Sequence, residues 1–329
     1  MAPTLWPLRC GVILAGGEGK RVRPLICKLL GVDLPKQYVS FIGTRSMLQH
    51  AFCRAERLMP KERIFTVVAR DHFKYPEVRR QIDGRLPHTV VCQPTNRETG
   101  PGILLPLMHL FKHYPNSTVA VFPSDHFVLQ EELFANYVRQ AFEAVERHPA
   151  KIVFLGVKPT DPEIEYGYIL PDNQDADAAL PVRSVKVFLE KPEPQIVSQI
   201  IALGALWNTM VMVFRTEILL HLISLSAPDL YRSFQRIFQA LGTSRESWTM
   251  ERVYEGLEPM DFSKDLLEGL DVYSRNQLSV VAMEGVFWSD WGSENRILSV
   301  LERLKRLDRA SGVFSRDMDP LSAAMEASL

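Results

Sequence analysis

The residues best suited to phosphate chemistry fall in one short run near the beginning of the chain. Leu14-Ala15-Gly16-Gly17-Glu18-Gly19-Lys20-Arg21 joins glycines, which leave backbone N–H groups free to close around an anion, to two cations that follow at once. A glycine-rich turn also serves simply to redirect a chain, and the adjoining Lys20 and Arg21 are what lift this one above that use. The glycines fall neither as Gly-x-x-x-x-Gly-Lys-Ser/Thr nor as Gly-x-Gly-x-x-Gly, which disfavours a dinucleotide oxidoreductase. Further on, Pro35-Lys36-Gln37 presents a lysine after a proline-fixed backbone, either a second phosphate contact at the edge of the same cleft or an ordinary solvated side chain.

Two acids follow at a distance. Asp125 lies in Phe122-Pro123-Ser124-Asp125-His126 and Asp290 in Phe287-Trp288-Ser289-Asp290-Trp291-Gly292-Ser293, each just past a strand-like run, where ligands of open α/β sheets collect. One such acid could simply cap the next helix, whereas two invite a cation. Mg²⁺ often takes only one or two carboxylates and leaves its other positions to water and phosphate oxygens. Between the acids, Glu190, Lys191 and Asn208 stand beside aromatic residues, and together they supply the directed acceptors and the single cation a sugar phosphate needs.

Other constellations carry less. His109 and His113 are four apart on an expected helix with no third ligand nearby, so both are expected at the surface. Ser124, Asp125 and His126 have the residue types of a hydrolase triad, but adjacent residues cannot be assumed to converge, and no Gly-x-Ser-x-Gly elbow is present.

The elements that must position these residues follow an alternating rhythm. Short β-branched runs at Cys10–Ala15, Ile64–Ala69, Thr89–Cys92, Val119–Phe122 and Ile152–Val157 predict strands, and Met47–Leu58, Ile103–Tyr114 and Glu131–Arg147 predict crossover helices on a mostly parallel sheet. After Pro159 the expected strands are Tyr166–Leu170, Val182–Leu189 and Met210–Phe214, then a helical stretch of about 60 residues, a strand at Leu278–Phe287 and a helix at Asn295–Arg309. With no internal repeat or low-complexity linker, no hard domain boundary can be drawn from the residues themselves.

The 329 residues are 46% hydrophobic and 23% charged, with a formal net charge of −1, so any phosphate binding must be local. That balance argues against nucleic-acid or membrane partners. Four cysteines at irregular spacing fit a reducing cytosol better than a zinc site or disulfide framework, and no cleaved leader or membrane anchor is expected.

The ordered set LAGGEGKRVRPL, PKQY, QPTNRETGPGI, FPSDH, EYGYI, VFLEKP, LWNT and FWSDWGS resembles the sugar-nucleotide pyrophosphorylases, and among them the mannose-1-phosphate guanylyltransferases, over about residues 10–300. The resemblance implies a Rossmann-like, GT-A-like nucleotidyltransferase core, a mostly parallel mixed sheet flanked by helices, with Mg²⁺, GTP and mannose 1-phosphate as cofactor and substrates, and homo-oligomers among the possible assemblies. By the same resemblance 1–309 is one catalytic domain, with a nucleotide-binding half at about 8–158, a sugar-phosphate half at about 159–294 and a closing helix at 295–309, and 310–329 is a tail. It implies that Arg21 activates the phosphate, that Lys36 contacts it, and that Asp125 and Asp290 hold the metal. It further implies that Gly16 and Gly17 face the base, that Gln93 and Gly100 line the nucleotide pocket together with Leu14, Gly19, Lys20 and Ser124, and that Gly167, Glu190, Lys191 and Asn208 hold the sugar phosphate.

The sequence departs from that pattern at Lys20, where the family carries Ser or Thr, at Arg23 in place of Trp, in the longer apolar stretch Ile26–Leu34, and at Thr209-Met210 in place of a small residue and glycine. Lys20 and Arg23 are expected to add charge at the phosphate end and Met210 to narrow the sugar pocket. The chain ends soon after the last motif, without the β-helix or isomerase domain many relatives append, which implies a single activity. A uridylyl- or thymidylyltransferase of glucose 1-phosphate and a non-catalytic sugar-nucleotide-binding relative are the alternatives.

Overall fold

Strand β1 (Arg9–Ala15) is apolar from Cys10 onward because both of its faces are covered. Cys10 and Val12 point into a core shared with the Thr99–His113 helix and the helices at 216–255, whereas Ile13 and Ala15 point into a second core against the Met47–Glu56 and Glu131–Arg147 helices. The same alternation runs through the other strands: β2 (Ile64–Ala69), β3 (Val90–Gln93), β4 (Thr118–Pro123), the short β5 (Phe127–Val128), β6 (Ile152–Val157), β7 (Gly167–Ala176), β8 (Val182–Glu190), β9 (Leu206–Arg215), β10 (Leu278–Met283) and the short β11 (Trp288–Ser289). This computed structural model describes residues 8–176 and 181–311; the expected tail from 312 onward lies outside the described residues.

The main sheet is nine-stranded in the order β3-β2-β1-β4-β9-β6-β10-β8-β7, and β7 also pairs with β9. β1 is parallel to β2 and β4, β2 to β3, and β6 to β10, as the alternating rhythm predicts. β9 runs antiparallel between β4 and β6, which makes the sheet mixed, as expected of such a core. This strand begins at Leu206, four residues before the expected start, and belongs by sequence to the expected sugar-phosphate half. The two halves therefore share one sheet rather than packing as separate bodies.

Other boundaries moved for local reasons. The helix expected from Ile103 starts at Thr99, because Thr99-Gly100-Pro101-Gly102 forms its first turn, where proline costs no hydrogen bond. The strand expected over Leu278–Phe287 stops at Met283, and Gly285 at φ +72° turns the chain into β11. The closing helix spans Glu294–Ser311. It packs Ile297, Val300, Leu301 and Leu304 against Leu25, Ile26, Leu34 and Met47, so the extra apolar stretch after the glycine loop is the seat of this helix. Among the described residues, no helix is long and apolar enough to cross a membrane.

Candidate active site

Because β1 and β4 are adjacent and parallel, the glycine loop and Ser124-Asp125-His126 leave the sheet side by side. Ser124 ties them together: its backbone N–H (3.2 Å) and its hydroxyl (2.6 Å) both donate to the Leu14 carbonyl. The Ser124 side chain is thus committed to the scaffold. The loop is braced from beneath by Gln37, whose amide donates to the carbonyls of Ala15 (2.9 Å) and Gly17 (2.7 Å), and by the Tyr38 hydroxyl, which donates to Ala15 (3.2 Å). Tyr38 also meets His72 Nδ1 at 2.9 Å, and burial pushes the His72 imidazole down to about 4. Gly19 sits at φ +60°, where a Cβ would lie 3.2 Å from the Lys36 backbone nitrogen, so glycine is needed for both conformation and space.

A separate two-stranded ladder joins the acids. β5 and β11 pair antiparallel, with Phe127 opposite Ser289 and Val128 opposite Trp288, and this sets Asp125, two residues before β5, beside Asp290, one residue after β11. Lys36 lies between them and is buried. Its ammonium donates to the carbonyls of Asp290 (2.7 Å) and Trp291 (3.1 Å) and pairs with Asp125 Oδ2 at 3.1 Å, which occupies all three of its protons. The solvated reading of Lys36 thus gives way to a buried cross-link between the two acid segments.

Asp290 Oδ1 accepts from the Tyr166 hydroxyl (3.0 Å), the Gly292 N–H (2.9 Å) and Arg296 Nη1 (2.7 Å). Burial alone would raise the pKa of this carboxyl, but Lys36, Arg296 and His126 together hold it below the usual range. The Arg296 guanidinium lies 4.6 Å from the Tyr166 ring centroid and also pairs with Glu165. With Oδ1 saturated, Oδ2 and the Asp125 carboxylate are the oxygens left for a cation. Among the described residues no group of three or more His, Cys, Asp or Glu side chains could hold a metal, so a metal here must complete its shell with water and ligand oxygens. That donor set fits Mg²⁺.

His126 is fixed by Trp288, whose indole N–H donates to Nδ1 (3.2 Å) and so leaves the proton on Nε2, 3.8 Å from Asp125 Oδ1. Burial pushes its pKa down to about 4 despite the two nearby acids, so at neutral pH it carries no charge.

Across the cleft, Arg21 donates to Glu165 Oε1 (2.9 Å) with both side chains largely exposed, a pair weak enough to exchange for an anionic ligand. Lys20 pairs with Glu18 (2.9 Å), and Arg23 with Asp33 (2.6 Å) and the Tyr75 hydroxyl (2.5 Å). Both cations expected to add charge at the phosphate end therefore have acidic partners of their own. On β3, the Gln93 amide fills the space a Cβ on Gly16 would take, 2.4 Å from Nε2, while its Oε1 is buried with no partner among the described residues. The corresponding space beside Gly100 is filled by Met260, whose carbonyl accepts the Gly100 N–H at 2.8 Å.

The four residues expected to hold a sugar phosphate converge. Gly167 pairs with Glu190 in the β7–β8 ladder, and a Cβ at Gly167 would lie 2.5 Å from Glu190 Oε2 and 3.3 Å from Asn208 Cβ. Burial raises the Glu190 pKa, opposed by Lys191 at 3.2 Å.

Sequence reasoning missed Arg296, Tyr166, Gln37, Tyr38 and His72. Tyr166 and Tyr38 lie within the EYGYI and PKQY motifs, which was the available signal; Arg296 reads as one more solvated charge on an amphipathic helix. His109, expected at the surface, is half-buried with its Nε2 unpartnered, and burial pushes its pKa down to about 4, whereas His113 is exposed and stacks on His88 at 5.0 Å.

A nucleotidyl transferase family model matches residues 10–306, which include every site residue described above. The chain belongs to the nucleotidyl transferase family. Mannose-1-phosphate guanylyltransferases of Escherichia coli and Klebsiella pneumoniae are 27% and 29% identical to it over 93% of this chain, and the chain spans 64% and 62% of their lengths. A crystal structure from Thermus thermophilus, described as a mannose-1-phosphate geranyltransferase, superposes with a TM-score of 0.74 at 26% identity, covering 90% of this chain and 79% of that one.

Proposed function

We propose that this family member transfers a guanylyl group from GTP to mannose 1-phosphate with the help of Mg²⁺, giving GDP-mannose and pyrophosphate, and that it acts in the cytosol. The observation that carries this is the meeting of Asp125, Asp290 and Lys36 beside a glycine loop, with Glu190, Lys191 and Asn208 gathered around Gly167. The names of the relatives support the choice of sugar and base.

An oxygen of the sugar phosphate forms a bond to the α-phosphorus as the bond from that phosphorus to the bridging oxygen breaks, and pyrophosphate leaves with the electron pair. The attacking oxygen is already anionic, so no general base is needed, and the protein's work is alignment and charge compensation. Mg²⁺ held by Asp125 and Asp290 Oδ2 would neutralise charge on the phosphates. Arg21, released from Glu165, reaches the triphosphate from the loop. Lys191 and the Asn208 amide orient the sugar phosphate, Glu190 accepts from sugar hydroxyls, and the unpaired Gln93 Oε1 accepts a base N–H.

The test is pyrophosphate release by purified protein with four nucleoside triphosphates, each with mannose 1-phosphate or glucose 1-phosphate, against sugar-free and chelator-treated blanks. Release only with GTP, mannose 1-phosphate and Mg²⁺ is expected. Release with another pair would overturn the substrate, and release in chelator would overturn the metal.

A further inference from the structure

Residue 210 stands at φ +57° inside a bulge of β9: Phe154 pairs with Met212 but Gly156 with Asn208, so β9 carries extra residues here. Glycine takes that backbone readily and methionine does not. Nothing in the sheet calls for a long side chain at this place, yet the Met210 side chain is engaged on two sides. Its thioether sulfur accepts from Asn208 Nδ2 (3.4 Å) and from the buried Ser263 hydroxyl (3.2 Å), and its backbone N–H donates to Asn208 Oδ1 (3.0 Å).

One residue therefore holds both ends of the Asn208 carboxamide. The backbone N–H can only meet an acceptor, which fixes Oδ1 on that side and turns Nδ2 toward the sulfur and Gly167. One Nδ2 proton goes to sulfur, and the nitrogen lies toward Gly167, which stands opposite Glu190 in the β7–β8 ladder. Ser263 in turn is positioned by Asp261, whose Oδ1 accepts its N–H at 2.8 Å.

We propose that Met210 is a positioning residue for sugar-phosphate binding: its strained backbone and its thioether together lock the Asn208 amide in the orientation that presents an N–H to the ligand. This rests on the assignment of Asn208 to the sugar-phosphate wall. A flexible, polarisable sulfur suits the task because it reaches a nitrogen two residues back along its own strand while sharing a hydroxyl from a different element.

Three variants separate the parts. Met210→Leu keeps size and backbone strain but removes the acceptor, Met210→Gly removes both strain and acceptor, and Met210→Gln restores an acceptor at similar reach. Both Leu and Gly variants should raise KM for mannose 1-phosphate about fivefold or more while KM for GTP and the melting temperature change little, and the Gln variant should recover most of the loss. A KM for the sugar phosphate equal to wild type in Met210→Leu would overturn the proposal, as would equal shifts for both substrates accompanied by a fall in melting temperature, the mark of a merely structural role.

Absence of turnover in the wild-type protein would instead refute the functional assignment. The ¹⁵N signals of the Asn208 side chain then decide the positioning claim independently. One Nδ2 proton should exchange slowly in wild type and quickly in Met210→Leu, and equal exchange in the two proteins would refute the lock.

Discussion

Gly16→Ala isolates the link between the glycine loop and nucleotide recognition. The Gly16 backbone is outside the left-handed region, so alanine is conformationally acceptable there. What stands in its way is the far end of Gln93: a Cβ would lie 2.4 Å from Nε2 and 3.0 Å from Cδ, about 1 Å short of ordinary contact. Gln93 is only 2% exposed, so its amide must swing within a packed wall rather than out into solvent. A hydrogen bond tolerates a few tenths of an ångström, so a shift of about 1 Å breaks whatever Oε1 makes with the base. The loss of one such bond in a buried site costs about 1–3 kcal/mol, or roughly 5- to 150-fold in affinity for the triphosphate.

The assay is calorimetric titration with a non-hydrolysable triphosphate analogue, alongside thermal unfolding of the free protein. The double variant Gly16→Ala/Gln93→Ala supplies the internal control: the clash disappears with the amide, so the pair should bind no worse than Gln93→Ala alone. Gly102→Ala, in the Thr99–His113 helix with nothing within 4 Å, controls for substitution itself and should stabilise slightly. Unchanged affinity in Gly16→Ala, or fully additive losses in the double variant, would refute the reasoning.

Other expectations follow from the same geometry. Asp125→Ala should abolish most turnover and lower the melting temperature, because the buried Lys36 ammonium loses its carboxylate, and Asp290→Ala should abolish turnover and lower it too, because Arg296, Tyr166 and the Gly292 N–H lose a shared acceptor; an unchanged melting temperature in either variant would contradict this. Arg296→Ala should cut kcat tenfold or more through a misplaced Asp290, and Arg296→Lys should not restore it, since one ammonium cannot replace bonds to Asp290, Glu165 and Ser293 at once. His109, held near 4 in the folded state against about 6.5 unfolded, favours its neutral form on folding. Its contribution is therefore complete above pH 6.5 and lost as pH falls toward 4, by up to about 3 kcal/mol. Urea unfolding between pH 7 and pH 4.5 should show a shallower decline for His109→Asn than for wild type, and parallel declines would remove His109 from the account.

Much was legible in the linear sequence because it is written in local physics. β2, β6 and the Glu131–Arg147 helix fall where periodicity puts them, since a strand covered on both faces must be apolar without interruption and a helix on a sheet must be apolar every third or fourth residue. Gly16, Gly17 and Gly19, the two acids and the Glu190–Lys191 pair were visible for the same reason: chemistry there depends on residue type in a short run. What the sequence could not determine was direction and partnership. β9 looks like any other strand, and only its place between β4 and β6 makes it antiparallel. Lys36 reads as a phosphate contact at the cleft edge or a solvated cation, and only the β5–β11 ladder, which sets Asp125 beside Asp290, holds it buried between them. The left-handed backbone at Met210 is likewise set by a bulge, which is a property of two paired strands and of neither one alone. Contacts between residues far apart in sequence come from the packing of whole elements, and that packing exists only once the chain has folded.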